Sequence, residues 1–180
     1  MKAPRSLPVL AAEVQAHLEG QGFSVVLVGG SAATAYSKEA YQSRDIDFVF
    51  EKDVINASKL IEAMRQMGFA AVSNGVFVNP KEKYTIDLIS GPLLLDNEAM
   101  SPPVRIQVGK NELKIISPTD CVRDRLLWFY HYNDRAGLAQ AVLVAQAQAD
   151  QIDIDMIRAW SKKIKKDEEF AEFHRLVLSS

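Results

Sequence analysis

The sequence has one cysteine, Cys121, in 180 residues. No internal disulfide can form, and a cysteine-based zinc site is excluded. It also lacks an excess of positive charge. Its 21 Lys and Arg stand against 23 Asp and Glu, for a formal net charge of −2, so general nucleic-acid binding is not expected. Long apolar runs are missing. No stretch approaches the roughly 18 residues of a membrane span, and the opening "MKAPRSLPVLAAEVQAHLEGQG" carries Glu13 and Glu19 where a signal peptide would be continuously apolar. A reduced, cytoplasmic setting away from membranes is expected. Internal repeats and low-complexity tracts are absent. So are the P-loop pattern G-x-x-x-x-G-K-[ST] and the dinucleotide pattern G-x-G-x-x-G.

What remains is a chain that can build a core, with 48% apolar and 24% charged residues. Its length fits one domain or two small ones. Leu7 to Leu18 has apolar residues at helical spacing and stops at Gly20 and Gly22. "FSVVLV" (Phe23 to Val28) reads as a buried strand. Gly29-Gly30-Ser31 breaks it, and "SAATAYSKEA" reads as a short helix. "DIDFVF" alternates as a strand, and Asp53 is placed to cap the next helix, "VINASKLIEAMRQMG". Asn74-Gly75 predicts a hairpin, "YTIDLIS" a further strand, "GPLLLDNEAMSPP" an irregular segment, and "VRIQVGKNELKII" a second hairpin. Ser117-Pro118 and Asp120 then open helical patterns that run almost to the end, with breaks near Gly137, Gln151 and Lys166. The expected organisation is a mixed α/β unit over residues 1–116, followed by a helical region over residues 117–180 packed on it.

Two aspartates, Asp45 and Asp47, open the strand "DIDFVF". Residues two apart on a strand face the same way, with roots roughly 6.5–7 Å apart. Ile46 and Phe48 then face the core. Two converging carboxylates that both stay ionised call for a cation, and Mg²⁺ suits hard oxygen ligands and substrate phosphates. Asp87, flanked by apolar residues in "YTIDLIS", is a third such acid. If its strand lies beside "DIDFVF", three carboxylates meet and can hold two metal ions, an arrangement used for phosphoryl and nucleotidyl transfer. Alone, the D-x-D pattern also fits a solvated strand edge. The glycines after the buried strand favour the functional reading, because they permit close backbone approach and precede a helix N-terminus that can face a phosphate.

These residues resemble the nucleotidyltransferase superfamily, the fold of DNA polymerase β and kanamycin nucleotidyltransferase. Its signature is a hydrophobic strand, G-[GS], an intervening stretch, D-h-[DE]-h, and a third acid on a later strand. Gly30-Ser31, thirteen intervening residues, Asp45-Ile46-Asp47-Phe48 and Ile86-Asp87-Leu88 match it in turn. Ser43-x-Asp45 is similar to the form found in small prokaryotic members, including abortive-infection-type toxins. The resemblance implies an α+β fold: a nucleotidyltransferase-like mixed β-sheet with flanking helices, followed by a C-terminal helical bundle. It implies that Asp45, Asp47 and Asp87 are catalytic and bind two Mg²⁺ ions, and that Gly29, Gly30 and Ser31 cradle the phosphates of an NTP. NMP would pass to an unidentified acceptor, which is a protein, an RNA end or a small molecule. A non-catalytic nucleotide- or partner-binding module, or a toxin paired with an antitoxin, is the alternative. A homo-oligomer is a further possible partner arrangement.

"RDRLLWFYHYNDR" (residues 123–135) is dense in polar and aromatic groups. On one helix, Asp124, His131 and Arg135 share a face, as do Arg125, Trp128 and Tyr132. The helix either lines the cleft or packs its aromatics against the sheet, and the packing reading is the plainer one. Arg44, Lys38 and the charge run "SKKIKKDEEF" read as solvated surface.

Overall fold

A computed structural model describes residues 5–52 and 56–179. The β-branched run Val25–Val28 forms β1, buried at all four positions, near the middle of a seven-stranded mixed sheet. Strand β2 (Asp45–Phe50) pairs antiparallel with β1. On the far side of β2, β5 (Thr85–Ile89) runs parallel to it. The hairpin of β3 (Ala70–Ser73) and β4 (Val76–Val78), turned at Asn74-Gly75, extends that side of the sheet. On the other side of β1 lies β9 (Asn111–Ile115), in parallel, and then its hairpin partner β8 (Val104–Val108). The order is β3-β4-β5-β2-β1-β9-β8.

The parallel contact between β1 and β9 is narrow, and a buried side chain reinforces it. Gln15, on α1 (Leu7–Gly20), donates to the carbonyl oxygens of Val25 and Lys114 at 3.0 and 2.8 Å and accepts from the Lys114 N–H at 2.6 Å. A buried amide with its polar atoms engaged avoids the cost of an unpaired one.

Helix α2 (Gly29–Tyr36) follows β1 with no loop between them. The glycines do not separate strand from helix, as the sequence predicts; they are the helix's first turn. The helix also stops earlier than expected, because Lys38 and Glu39 adopt left-handed conformations (φ 52° and 64°). Helix α3 (Ala57–Gln66) is capped by Asn56, which accepts from the Lys59 N–H at 2.9 Å. The cap expected at Asp53 lies outside the described residues. The segment expected to be irregular contains a small hairpin, β6 (Leu94–Leu95) and β7 (Glu98–Ala99). It turns at Asp96-Asn97, both with positive φ, since these two residue types accept the left-handed conformation in place of glycine.

Helix α4 (Pro118–Tyr132) begins as predicted, with Ser117 accepting from the Asp120 N–H at 3.1 Å and Pro118 in the first turn. It ends sooner than the sequence pattern implies. Asn133 is left-handed (φ 51°), and Asp134 caps α5 (Arg135–Ala147). Arg135 therefore belongs to α5 and does not share a helix with Asp124 and His131. Helices α6 (Ile154–Lys163) and α7 (Asp167–Leu178) complete the chain. Helix α4 packs against α2 and α5, which brings the helical half to the end of the sheet where β1 meets α2. Among the described residues, no helix is long and apolar enough to cross a membrane.

Candidate active site

The strand register lines up the acids. Val28 pairs with Asp47 across β1 and β2, and Asp47 pairs with Asp87 across β2 and β5. Asp45 lies two residues before Asp47 and pairs with Thr85. Burial alternates along β2: Ile46, Phe48 and Phe50 are in the core, while Asp45, Asp47 and Val49 are half-buried. Neighbouring strands lie about 4.8 Å apart, so the three carboxylates rise from one face of two adjacent strands.

That placement is electrostatically unfavourable when no cation is present. Burial first, then the charges of Asp87 and Asp45, push the Asp47 carboxyl up to about 6, against a partial opposing pull from Arg125. Burial and Asp45 also raise Asp87. The Asp87 Oδ1 is buried with no hydrogen-bond partner. Among the described residues, no three of Asp, Glu, His or Cys are already drawn together as a metal-binding cluster. The donor chemistry nonetheless fits a hard divalent cation: hard carboxylate oxygens on one face, one of them buried without a partner.

The turn from β1 into α2 is shaped around Asp47. Gly29 has a φ of +64°, and a Cβ placed on it would lie 3.0 Å from the Asp47 Oδ2. Ser31 is buried; its hydroxyl donates to the Val28 carbonyl at 2.7 Å and accepts from the Asp47 N–H at 3.0 Å. Ser31 thus ties the start of α2 to β2. Val28 precedes α2 with no side-chain cap, so the first amide groups of the helix carry no side-chain acceptor there.

A cavity of about 380 Å³ opens on this turn. Its walls include Gly29, Gly30 and Asp47 on the sheet side and Asp124, Arg125 and Trp128 on α4. Ser31, Asp45 and Asp87 are not among its lining residues. Arg125 donates to the Asp124 Oδ2 from Nη2 at 2.6 Å and from Nε at 3.1 Å, and to the Gln140 Oε1 from Nη1 at 3.3 Å. A second cavity of about 460 Å³ shares Asp124 and Trp128 with the first and is otherwise lined by Asp96, Leu127, His131 and Tyr132. The rings of Trp128 and Tyr132 stand 5.5 Å apart, both exposed. The plainer sequence reading, that α4 packs its aromatics against the sheet, gives way even for the buried rings Phe129 and Tyr130: Tyr130 stacks on Trp160 of α6, with centroids 5.5 Å apart. It fails for Asp124, Arg125 and Trp128, which form a wall of the cleft. Tyr41 and Ile89 also line the first cavity, and no sequence pattern marked them.

The same architecture occurs in solved structures. An antigenic nucleotidyltransferase-like protein from Paracoccidioides brasiliensis superposes with a TM-score of 0.64 at 14% identity, over 97% of this chain and 95% of its own. The antibiotic-resistance factor ANT(2'')-Ia does so in two structures. Its solution structure gives 0.55 at 12% identity over 93% and 97% of the two chains. Its complex with adenylyl-2''-tobramycin gives 0.56 at 12% identity over 88% and 98%. The fold is that of the nucleotidyltransferases. At the level of sequence, no family model and no curated protein matches this chain. The shared fold does not set the chemistry of the cleft, because one fold hosts many reactions; the residues in the cleft do that.

Proposed function

We propose that this protein is a Mg²⁺-dependent nucleotidyltransferase that moves NMP from an NTP to a hydroxyl of an acceptor. The observation that carries this reading is the register of Asp47 opposite Asp87, with Asp45 on the same face, beside the uncapped start of α2. Asp45, Asp47 and Asp87 would hold the Mg²⁺ ions. Bound there, Mg²⁺ neutralises charge on the phosphates and on the departing pyrophosphate.

The chain's own groups do the rest. The amides of Gly29 and Gly30 face the β- and γ-phosphates, where the positive end of α2 favours anions. The acceptor oxygen bonds to the α-phosphorus, and the bond from that phosphorus to the bridging oxygen breaks. Pyrophosphate leaves with the electron pair. Asp87 takes the hydroxyl proton and releases it to solvent. Ser31 holds the Asp47 backbone in place and does not touch the nucleotide.

For the acceptor, a small molecule fits better than an RNA end. The second cavity carries Asp96 and Asp124 beside Trp128, His131 and Tyr132, and among the described residues no Lys or Arg lines it. A polyanion entering there meets like charge, whereas a neutral or amine-bearing molecule can stack on the rings. The complex of ANT(2'')-Ia with adenylyl-2''-tobramycin is consistent with a small acceptor on this fold.

The test is incubation with labelled NTPs, Mg²⁺ and a panel of proteins, RNAs and small hydroxyl compounds, comparing the wild type with Asp47→Ala. Metal- and Asp47-dependent labelling supports the transferase. Nucleotide binding with no transfer to any acceptor would assign a non-catalytic binding module instead.

A further inference from the structure

The cavity beside Gly29 and Asp47 has one cationic side chain among the described residues that line it. Of the ten described residues lining it, Arg125 alone is a Lys or Arg, and its side chain is 14% exposed. A guanidinium has five N–H groups. Among the described residues Arg125 makes three hydrogen bonds, two to Asp124 and one to Gln140, which leaves one N–H on each terminal nitrogen. Asp124 and Gln140 thus fix the fork from α4 and α5 while two donors stay uncommitted in a cavity that also contains Gly29, Gly30 and Asp47.

We propose that Arg125 is the phosphate-gripping residue of the cleft, its two uncommitted N–H groups binding the terminal phosphates of the nucleotide and then the pyrophosphate that leaves. This rests on the nucleotidyl-transfer reading and adds to it a positive group delivered by the helical half. As the α-phosphorus forms its bond to the acceptor oxygen and loses its bond to the bridging oxygen, the electron pair moves onto pyrophosphate. A fixed guanidinium stabilises that charge with little reorganisation.

A competing cationic surface lies beyond Ser43, in a cavity of about 530 Å³ lined in part by Arg5, Arg44 and Lys83. Arg5 is tied to Glu13 and Glu82, and Arg44 and Lys83 are exposed. Water screens exposed charges, whereas a sheltered, pre-aimed fork acts at close to full strength.

The experiment is calorimetric titration with Mg²⁺ and α,β-methylene analogues of the ribonucleoside triphosphates, beside the matching monophosphates. Arg125→Gln is expected to weaken triphosphate binding at least about tenfold while leaving monophosphate binding within about twofold. Arg125→Lys should fall between them, and Arg44→Gln should match the wild type. Wild-type triphosphate binding by a folded Arg125→Gln overturns the proposal, as does equal weakening for tri- and monophosphates, which marks a purely structural role. Should both Arg125 variants fail to fold, the assigned Nε–H resonance of Arg125 in the wild type decides. It moves on adding Mg²⁺ tripolyphosphate if the proposal holds, and stays fixed if it does not. Failure of the wild type to bind any nucleotide overturns this proposal and the transferase reading together; failure confined to the Arg125 results overturns this one alone.

Discussion

Gly29 leaves the space that the Asp47 carboxylate needs: a Cβ on Gly29, whose φ is +64°, would sit 3.0 Å from the Asp47 Oδ2. The glycine serves backbone conformation and carboxylate placement at once. Gly29→Ala is therefore expected to cost about 1–2 kcal/mol of stability from the left-handed backbone alone and to displace the Asp47 side chain. Thermal melting should show a lowered Tm, and titration should show weaker Mg²⁺-nucleotide binding. An alanine variant that binds like the wild type would separate the glycine from the site.

Asp47 gives the metal-free protein a pH dependence of defined sign. Its carboxyl stands near 6 in the fold against an ordinary 3.8, so the folded state holds the proton more tightly than the unfolded chain. This stabilisation is complete below about pH 4 and is lost as pH rises through about 6, roughly 2–3 kcal/mol in all. Without metal, the contribution of this group to Tm should fall over that interval, and Asp47→Asn should remove the fall. Asp47→Asn should also be more stable than the wild type near pH 7.5 in chelator. Mg²⁺ should raise the wild-type Tm more near pH 7.5 than near pH 5. A Mg²⁺ effect that is equal at both values contradicts the assignment.

Ser31 is a support. Removing its hydroxyl in Ser31→Ala leaves the part-buried Asp47 N–H without its acceptor, at a cost of about 1–3 kcal/mol. Denaturant melts should record that loss. Triphosphate and monophosphate affinities should fall together, because the change acts through the position of Asp47. Selective loss of triphosphate binding would instead make the hydroxyl a phosphate ligand.

Gly137 lets α5 approach α4 beside the proposed phosphate grip. A Cβ there would lie 2.8 Å from the Arg125 carbonyl oxygen and 3.3 Å from the Trp128 Cβ. In an open helix, Gly→Ala gains up to about 1 kcal/mol. Here the contact is with backbone, and overpacking of about 1–3 kcal/mol should prevail. A lowered Tm is expected for Gly137→Ala, with weaker triphosphate binding; a raised Tm would show that the two helices separate freely.

Much of the frame is local and therefore legible along the chain. The all-apolar run of β1, the i, i+2 alternation around Asp45 and Asp47, the Asn74-Gly75 turn and the Ser117-Pro118 helix start depend on residues close in sequence. Where reading failed, a residue's conformation was set by weak local preferences. Asn133 ends α4 and Asp96-Asn97 turn a hairpin through left-handed backbones that Asn and Asp accept only some of the time.

The sequence by itself determined that two carboxylates share a strand face, that glycines follow a buried strand, and that a third acid sits in another strand, because side-chain direction in a strand follows from its two-residue period. Only the tertiary structure decided that β5 lies parallel to β2 with Asp87 opposite Asp47, that the Ser31 hydroxyl accepts from the Asp47 N–H while donating to Val28, and that α4 brings Asp124, Arg125 and Trp128 to the cleft. Strand pairing, hydrogen-bond partners and cavity walls arise between segments tens of residues apart. Packing of the whole core fixes them, and no local periodicity encodes which segment arrives.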